Sequence, residues 1–248
     1  MTYDFKAQRL FVHPPLGPGA RIALDRAQAN YLVNVLRMKD GGEVLVFNGR
    51  DGEWRARLVA ESRKTHSLLV ADMTRRQPGA ATLHYLFAPL KQARLDYMVE
   101  KAVEMGVGRL RPVLTQHTQV RALNRDRAKA NAVEAAEQCG ILTLPEIDPP
   151  VALGDLLDRW EAEEGRRHIV FCDERHGGGG PLAVLASLPP SPLAVLVGPE
   201  GGFSEAERRN LLSRPFVTVL PLGHRILRAD TAAVAALALV QAACGDWR

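Results

Sequence analysis

Two loops that combine glycine with charged side chains are the segments of this sequence best suited to binding a ligand. The first, Gly198–Gly202, directly follows the apolar run Leu193–Val197 and precedes a helix start at Ser204. Glycine lets a backbone approach a ligand closely, and open α/β sheets bind ligands at the carboxyl ends of their strands. The loop lacks the signatures of a phosphate-binding P-loop and of a dinucleotide site. A ligand role and a purely structural tight turn both fit this pattern.

The second loop, Leu222–Arg228, follows another apolar run and carries two arginines, Arg225 and Arg228. Neither arginine has an obvious neutralising partner nearby in the sequence. Guanidinium groups placed in this way bind anionic groups such as phosphate. Ile226 and Leu227 between them suit packing against a flat base. The alternative is that both arginines form salt bridges with carboxylates that are close in the fold.

Both loops lead into predicted helices. Ser204 followed by Glu207 forms a capping box, which marks a helix start. Asp230 or Thr231 is predicted to cap the second helix. That helix, Thr231–Ala243, has almost no polar face, so we expect burial on all sides, against the sheet or against a second subunit.

The elements around these loops change character near residue 75. Before it, short apolar runs alternate with turns and one helical segment near Gln28–Met38, which indicates a small β-barrel. Beyond it, near-continuous apolar runs alternate with helices, which indicates an α/β domain with a largely parallel sheet. The predicted domains are residues 1–74 and 80–248, joined by a Pro/Gly-containing linker at 75–79. The predicted strands beyond the linker are 83–88, 168–172, 193–197 and 216–220, the predicted helices include 95–103 and 125–139, and 176–192 is predicted to be a loop with a short helix.

Charge is unevenly distributed along the chain. Residues 1–76 hold 13 Lys and Arg against 8 Asp and Glu, a balance of +5, whereas the remainder has a balance of −1. A basic end is expected of a domain that binds a polyanion such as RNA, and an ordinary solvated surface is the alternative. The candidate phosphate contacts, which would position RNA without reading its sequence, are Arg9, Arg37, Lys39, Arg50 and Arg55.

The sequence argues against several other classes of protein. No apolar run approaches the roughly 18–20 residues that span a membrane, and the N-terminus has no apolar signal core. We therefore expect a cytoplasmic protein with no membrane segment. Cys139, Cys172 and Cys244 lack disulfide or metal-site spacing, and the seven histidines show no ligand spacing, so no metal site is predicted.

The two loops, together with three further segments, resemble the RsmE family of ribosomal RNA methyltransferases, part of the SPOUT superfamily. The resemblance covers essentially the whole chain in order, and five spaced motifs make it specific. Two positions depart from the family pattern: Asp230 stands where Glu is frequent, and Ile141 where Arg is common, so we assign no RNA contact to Ile141. The matching segments are 197–204, 222–232, 90–91 continuing through 100–107, 135–139, and 9–11 with 35–37.

The resemblance implies a PUA-like N-terminal barrel that binds RNA and a C-terminal α/β domain with a deep trefoil knot, working as a homodimer. It implies methylation of N3 of a uridine in the decoding region of 16S ribosomal RNA. The methyl donor, S-adenosylmethionine, is expected in the knot against the two loops. The donor-binding positions carried over are Leu196, Val197, Gly198, Pro199, Gly201, Gly202, Leu220, Leu222, Gly223, Ile226, Leu227 and Arg228.

Methylation at uridine N3 requires loss of the imino proton and an in-line approach of the reacting atoms. We expect Arg228 or Arg225 to stabilise the charge that develops on the base, and Glu200 to accept the proton. A role for Glu200 in orienting the loop fits equally well. Glu137 and Gln138, on the predicted helix 125–139, are weaker candidates.

Two other functions fit parts of the sequence. A non-catalytic ribosome-assembly factor would keep the fold without transferring methyl groups, and the glycines retained in both loops argue against it. An NAD-dependent enzyme would need a G-x-G-x-x-G turn and a ribose-binding acid, and both are missing. A comparison of which cofactor raises the melting temperature tests the NAD alternative.

Overall fold

The computed structural model of the chain describes residues 7–62, 65–173, 175 and 179–247. These residues form two compact units. The first unit contains the described residues up to Ala80 together with Val133–Leu144, and the second contains Ala81–Ala132 and the described residues from Pro145 onward. The domain limits 1–74 and 80–248 stay a prediction.

The first unit is built on a five-stranded sheet, a half-barrel, which agrees with the predicted β-rich N-terminal domain. Its strand order is β1-β3-β4-β5-β2, with β1 parallel to β3 and the other pairs antiparallel. Helix α1, Arg26–Asn30, continues into a π-helical turn, Tyr31–Val35, so the predicted helical segment is confirmed with shifted ends. The strands are β1 Arg9–Phe11, β2 Arg21–Ala23, β3 Glu43–Phe47, β4 Glu53–Ala60 and β5 His66–Arg75.

The second unit is built on a seven-stranded sheet in which every described pairing is parallel, which confirms the predicted α/β class. The order is β12-β10-β11-β6-β7-β8, with β9 beside β7. The strands are β6 Leu83–Phe87, β7 Val107–Leu114, β8 Glu146–Ile147, β9 Val151–Ala152, β10 His168–Cys172, β11 Leu193–Val197 and β12 Val217–Leu220. The helices are α2 Gln92–Glu104, α3 Arg125–Cys139, α4 Leu153–Glu164, α5 Pro181–Ala186, α6 Glu205–Leu212 and α7 Ala229–Cys244.

The three central strands β6, β10 and β11 are buried along their whole length, because their apolar runs are covered on both faces of the sheet. Helix α2 buries the predicted apolar face and ends just before Gly106, whose φ is +73°. Helix α3 has the predicted limits. The short helix expected within 176–192 is α5, and positions 176–178 of that segment lie outside the described residues.

The starts of α6 and α7 differ in how they are capped. Ser204 and Glu207 form the predicted capping box at α6. The predicted cap of α7 is wrong: Arg228 is the N-cap residue, without a side-chain cap bond, and Asp230 lies inside the first turn. Its carboxylate there accepts from the backbone N–H of Thr231 at 2.9 Å and complements the helix dipole.

Helix α7 is buried on one side only within this chain. It packs against α2, α5 and β11 through Ala232, Ala236, Leu237 and Val240. Its other faces, which include Leu239, are half-buried. The expected burial on all sides is therefore not reached within one chain, and the second subunit stays a prediction.

A buried cluster of charged groups lies near the amino-terminal edge of the second sheet. Glu164, at the end of α4, has a side chain only 5% exposed and lies 2.6 Å from Arg111 and 2.7 Å from Arg167. His84 and Arg109 flank the same carboxylate at 3.3 and 3.5 Å. Burial, together with Arg167, Arg109 and Arg111, lowers the pKa of His84 to about 3, so this imidazole is neutral in the folded protein.

We expect Glu164→Gln to lower the free energy of unfolding by about 3–5 kcal/mol, because it removes the shared carboxylate of the buried cluster, and Glu164 is the ion-pair partner of the largely buried Arg167. Denaturant unfolding at pH 7 measures the change. The matched control is Glu163→Gln, since Glu163 is 39% exposed and has a longer contact, 3.2 Å, with Arg111. Equal losses in the two variants would contradict the central role of Glu164.

We expect acidification to destabilise the protein in part through His84. Its folded-state pKa of about 3 lies below the ordinary 6.5, so the unfolded chain takes up the proton first and stability falls from pH 6.5 towards pH 3. In His84→Gln the free energy of unfolding should drop less between pH 7 and 4.5, by on the order of 2 kcal/mol. Parallel pH profiles for the two proteins would show that His84 does not titrate in this way.

Candidate active site

A cavity of about 560 Å³ lies in the second unit, where the loops after β10, β11 and β12 meet. Cys172, the last residue of β10, is the register partner of Val197 at the end of β11 and of Leu220 at the end of β12. The three neighbouring strands therefore end level with one another at the edge of the sheet where open α/β folds bind ligands. The volume is in the range of small-molecule sites.

The cavity brings together most of the predicted donor-binding positions. Leu196 and Leu220 are the exceptions, because both are fully buried in the sheet core behind the cavity wall. The three predicted catalytic residues also line the cavity. The predicted positions that line it are Val197, Gly198, Pro199, Glu200, Gly201, Gly202, Leu222, Gly223, Arg225, Ile226, Leu227 and Arg228.

Five further residues line the cavity that sequence reasoning did not identify: Arg94, Cys172, Asp173, Ala229 and Ala232. Cys172 and Asp173 follow from the strand order, which places β10 between the other two strands. The buried apolar run of β10 was a usable signal for these two, since its carboxyl end was expected at the same edge. Ala229 and Ala232 lie in the matching segment 222–232 but were not singled out, and no local pattern assigned Arg94 to the site.

Packing and backbone conformation account for two glycines of the loop Gly198–Gly202, hereafter the glycine loop. A Cβ atom at Gly198 would lie 2.4 Å from the ring of Phe203, so this glycine is required by packing. Gly202 has a φ of +66°, and its N–H donates to the carbonyl of Pro199 at 2.9 Å. The same backbone that makes this turn also faces the cavity, so the structural and the ligand roles coexist.

The charged groups at the cavity differ in whether they are paired. Glu200 forms an ion pair with Arg94, which occupies the carboxylate and favours the loop-orienting role over proton transfer. Arg225 and Arg228 are exposed, and in the described part of the chain neither takes part in an ion pair. The salt-bridge alternative for these two arginines is therefore not what the structure shows.

The floor of the cavity holds a neutral thiol and a compensated carboxylate. Asp173 is buried and accepts from Arg208 Nε at 2.7 Å and from the backbone N–H of Arg175 at 3.1 Å. Burial raises the pKa of the Cys172 thiol to about 12, so it stays protonated at neutral pH. A protonated thiol is a poor nucleophile, which argues against covalent catalysis by Cys172.

We expect iodoacetamide to alkylate Cys139 in the folded protein at pH 8 and to leave Cys172 unmodified. Cys139 is exposed, whereas Cys172 is buried and its pKa is raised. Mass spectrometry of tryptic peptides after timed labelling measures both sites in one sample, with the denatured protein as the control. Comparable native labelling of the two cysteines would show that the cavity floor is open.

Four of the five predicted RNA-contacting residues lie on the surface of the first unit, and Arg9 does not. Arg9 is 4% exposed, and its Nε donates to Glu53 at 3.0 Å, so we withdraw it as a phosphate contact. Arg50 donates to the carbonyl of His13, and Arg55 is paired with Glu43 at 3.2 Å. Such exposed pairs are weak and can exchange for phosphate. The exposed four are Arg37, Lys39, Arg50 and Arg55.

The two weaker catalytic candidates are not at the cavity. Glu137 accepts from the backbone N–H of Phe11 at 2.7 Å, and burial raises the pKa of its carboxyl. Gln138 is exposed and donates to Glu134 at 3.4 Å. Glu137 therefore holds strand β1 in place within the first unit, which is a structural role. Neither Glu137 nor Gln138 is a candidate for catalysis.

The described residues offer neither a metal site nor a membrane-spanning helix. No group of three or more His, Cys, Asp and Glu side chains there could hold a metal ion. Among the same residues, no helix combines the length and the apolar character that a membrane crossing needs.

Comparison with known proteins assigns this architecture to a class. Residues 77–241 match the family model described as an RNA methyltransferase domain, and residues 24–68 match the one described as an RNA methyltransferase PUA domain. Among solved structures, a ribosomal RNA small subunit methyltransferase E from Neisseria gonorrhoeae bound to S-adenosyl methionine has the same fold, with a TM-score of 0.82 at 24% identity over 95% of this chain and 97% of that one. The fold is thus that of an RNA methyltransferase.

Two further relatives narrow the assignment. A putative methyltransferase from Legionella pneumophila in complex with bound SAM has a TM-score of 0.81 at 27% identity, covering 96% of this chain and 98% of that one. Ribosomal RNA small subunit methyltransferase E from Synechocystis is 31% identical over 95% of this chain and 78% of that protein. The chain belongs to the ribosomal RNA small subunit methyltransferase E family.

Proposed function

We propose that this protein transfers the methyl group of S-adenosylmethionine to N3 of a specific uridine in 16S ribosomal RNA of the small ribosomal subunit. The observation that carries the proposal is the cavity itself, which is lined by the glycine loop and by Arg225 and Arg228, neither of which forms an ion pair within the described part of the chain. Membership of the family supports the reaction class, and the SAM-bound relative from Legionella pneumophila supports the donor.

The residues at the cavity fit the proposed donor. Val197, Leu222, Leu227 and Ala232 offer apolar surface for a flat base, and the backbone of the glycine loop offers polar groups for its edges. When bound, S-adenosylmethionine supplies a methyl group attached to a positively charged sulfur. Leu196 and Leu220 are fully buried and do not line the cavity, so they are not proposed as donor contacts.

The exposed arginines act on the target base in this proposal. As uridine N3 loses its proton, negative charge develops on O2 and O4, and the guanidinium of Arg228 or Arg225 stabilises it. Glu200 is proposed to orient the glycine loop through its ion pair with Arg94, and proton acceptance by Glu200 is the alternative role. The chain's main contribution is to hold N3 in line with the methyl group.

The first unit is proposed to bind RNA, with Arg37, Lys39, Arg50 and Arg55 as phosphate contacts that position the substrate. The protein is further proposed to work as a cytoplasmic homodimer, with the half-buried faces of α7 in the subunit contact. The trefoil knot implied by the resemblance is retained as part of this proposal.

The first test is transfer of labelled methyl from S-adenosylmethionine to 30S particles that lack the modification, followed by nucleoside analysis. We expect 3-methyluridine as the product. Ala232→Leu should fill the cavity from helix α7 and abolish donor binding in calorimetry. Arg228→Gln should lower kcat about 100-fold, because one stabilising donor is lost.

Arg209→Gln is the control, since Arg209 is exposed on α6 and does not line the cavity. Activities are compared only between variants whose melting temperatures match that of the original protein, so that loss of folding is not mistaken for loss of activity. Donor binding without any transfer would reject the proposed reaction on this substrate and favour the role in ribosome assembly.

A further inference from the structure

We infer that His117 is a positioning residue for methyl transfer, which fixes the shape of the glycine loop by donating from its Nδ1–H to the loop backbone. Only the expected effect of His117 on donor binding depends on the proposed function, and its contact with the glycine loop does not. Neither the two loop motifs nor the cavity lining includes this histidine, which lies on the loop after β7.

The contact itself defines the state of the ring. His117 Nδ1 lies 3.0 Å from the carbonyl oxygen of Gly201 and 3.2 Å from that of Gly202. A carbonyl oxygen only accepts hydrogen bonds, so Nδ1 must carry the proton. The single Nδ1–H is therefore shared between the consecutive carbonyl groups of Gly201 and Gly202 in a bifurcated hydrogen bond.

Close packing accompanies the hydrogen bonds. A Cβ atom at Gly201 would lie 3.2 Å from Cβ of His117, so the histidine occupies the space beside this glycine. On the same loop the carboxylate of Glu200 is paired with Arg94 of α2. The glycine loop is thus held at neighbouring residues by side chains from two separate elements.

The loop that carries His117 is held by hydrogen bonds of the neighbouring residues, which suits a positioning residue. The backbone N–H of Thr115 donates to Thr118 Oγ1 at 2.8 Å, and both threonines are buried. The backbone N–H of Gln116 donates to Glu207 Oε1 at 2.7 Å. Because Glu207 also forms the capping box of α6, the His117 loop and the far end of the glycine loop share one anchor.

This arrangement affects the donor through pre-organisation. A glycine loop has many accessible backbone conformations, and ordering it on binding weakens affinity. Holding Gly201 and Gly202 beforehand removes part of that entropy loss. His117 therefore acts through the loop, and we assign it no contact with the reacting atoms.

The test compares three substitutions of His117 in the full chain. Asn places an amide N–H near the position of Nδ1, Gln places it near Nε2, and Ala removes both. We expect His117→Ala and His117→Gln to bind S-adenosylhomocysteine about five- to tenfold more weakly in calorimetry, and His117→Asn to stay close to the original protein. In turnover, KM for the donor should rise by a similar factor while kcat at saturating donor changes less than about twofold.

Hydrogen exchange of the peptide that contains the glycine loop is measured in parallel, without any ligand. Exchange should accelerate in the Ala and Gln variants and return to the original rate in the Asn variant. Rescue by Gln and not by Asn, or an unchanged donor affinity in the Ala variant, overturns the inference. If the original protein binds no donor but exchange follows the expected pattern, the role of His117 in the loop stands and the proposed function fails.

Discussion

The parallel pairing of β10 with both β11 and β12 is the constraint on which the site depends. Because Cys172 is level with Val197 and with Leu220, two loops that are some 20 residues apart in the chain open at the same height of one sheet edge. Backbone hydrogen bonds, made without regard to side chains, thereby set how far the glycine loop lies from the arginines. Strand order therefore determines where the cavity forms, whichever residues line it.

The opposite edge of the sheet is organised by charge. Glu164 gathers Arg109, Arg111 and Arg167 where α4 ends, and His84 stays neutral beside them. Buried ion clusters of this kind are weak sources of net stability but strongly penalise arrangements that separate the partners. The cluster therefore restricts how α4 can lie on the sheet, while at the ligand-facing edge Arg225 and Arg228 form no ion pair with any residue that the structure describes.

Local features of the structure could be predicted from the sequence, and most contacts between distant segments could not. The capping box at Ser204, the limits of α3 and the buried runs of β10 and β11 follow from periodicity and short-range hydrogen bonding, so they could be predicted. Arg94 and His117 reach the site through strand order and helix packing, which short-range patterns do not encode, whereas Asp173 could have been found at the end of the buried run of β10. Arg9 was misplaced for a related reason: a charge inside a short strand looks the same in sequence whether it meets solvent or, as here, a buried Glu53.

The packing of Phe203 against Gly198 affects what the glycine loop indicates when it occurs in related proteins. The aromatic ring occupies the space that a side chain at 198 would need, and Gly202 is fixed by its left-handed backbone. Folding thus requires both glycines whether or not a ligand binds. A descendant that had lost methyl transfer would keep both glycines. Their presence is therefore evidence for the fold and not for the activity. Evidence of lost function would have to be sought at Arg225 and Arg228, whose replacement the fold would tolerate.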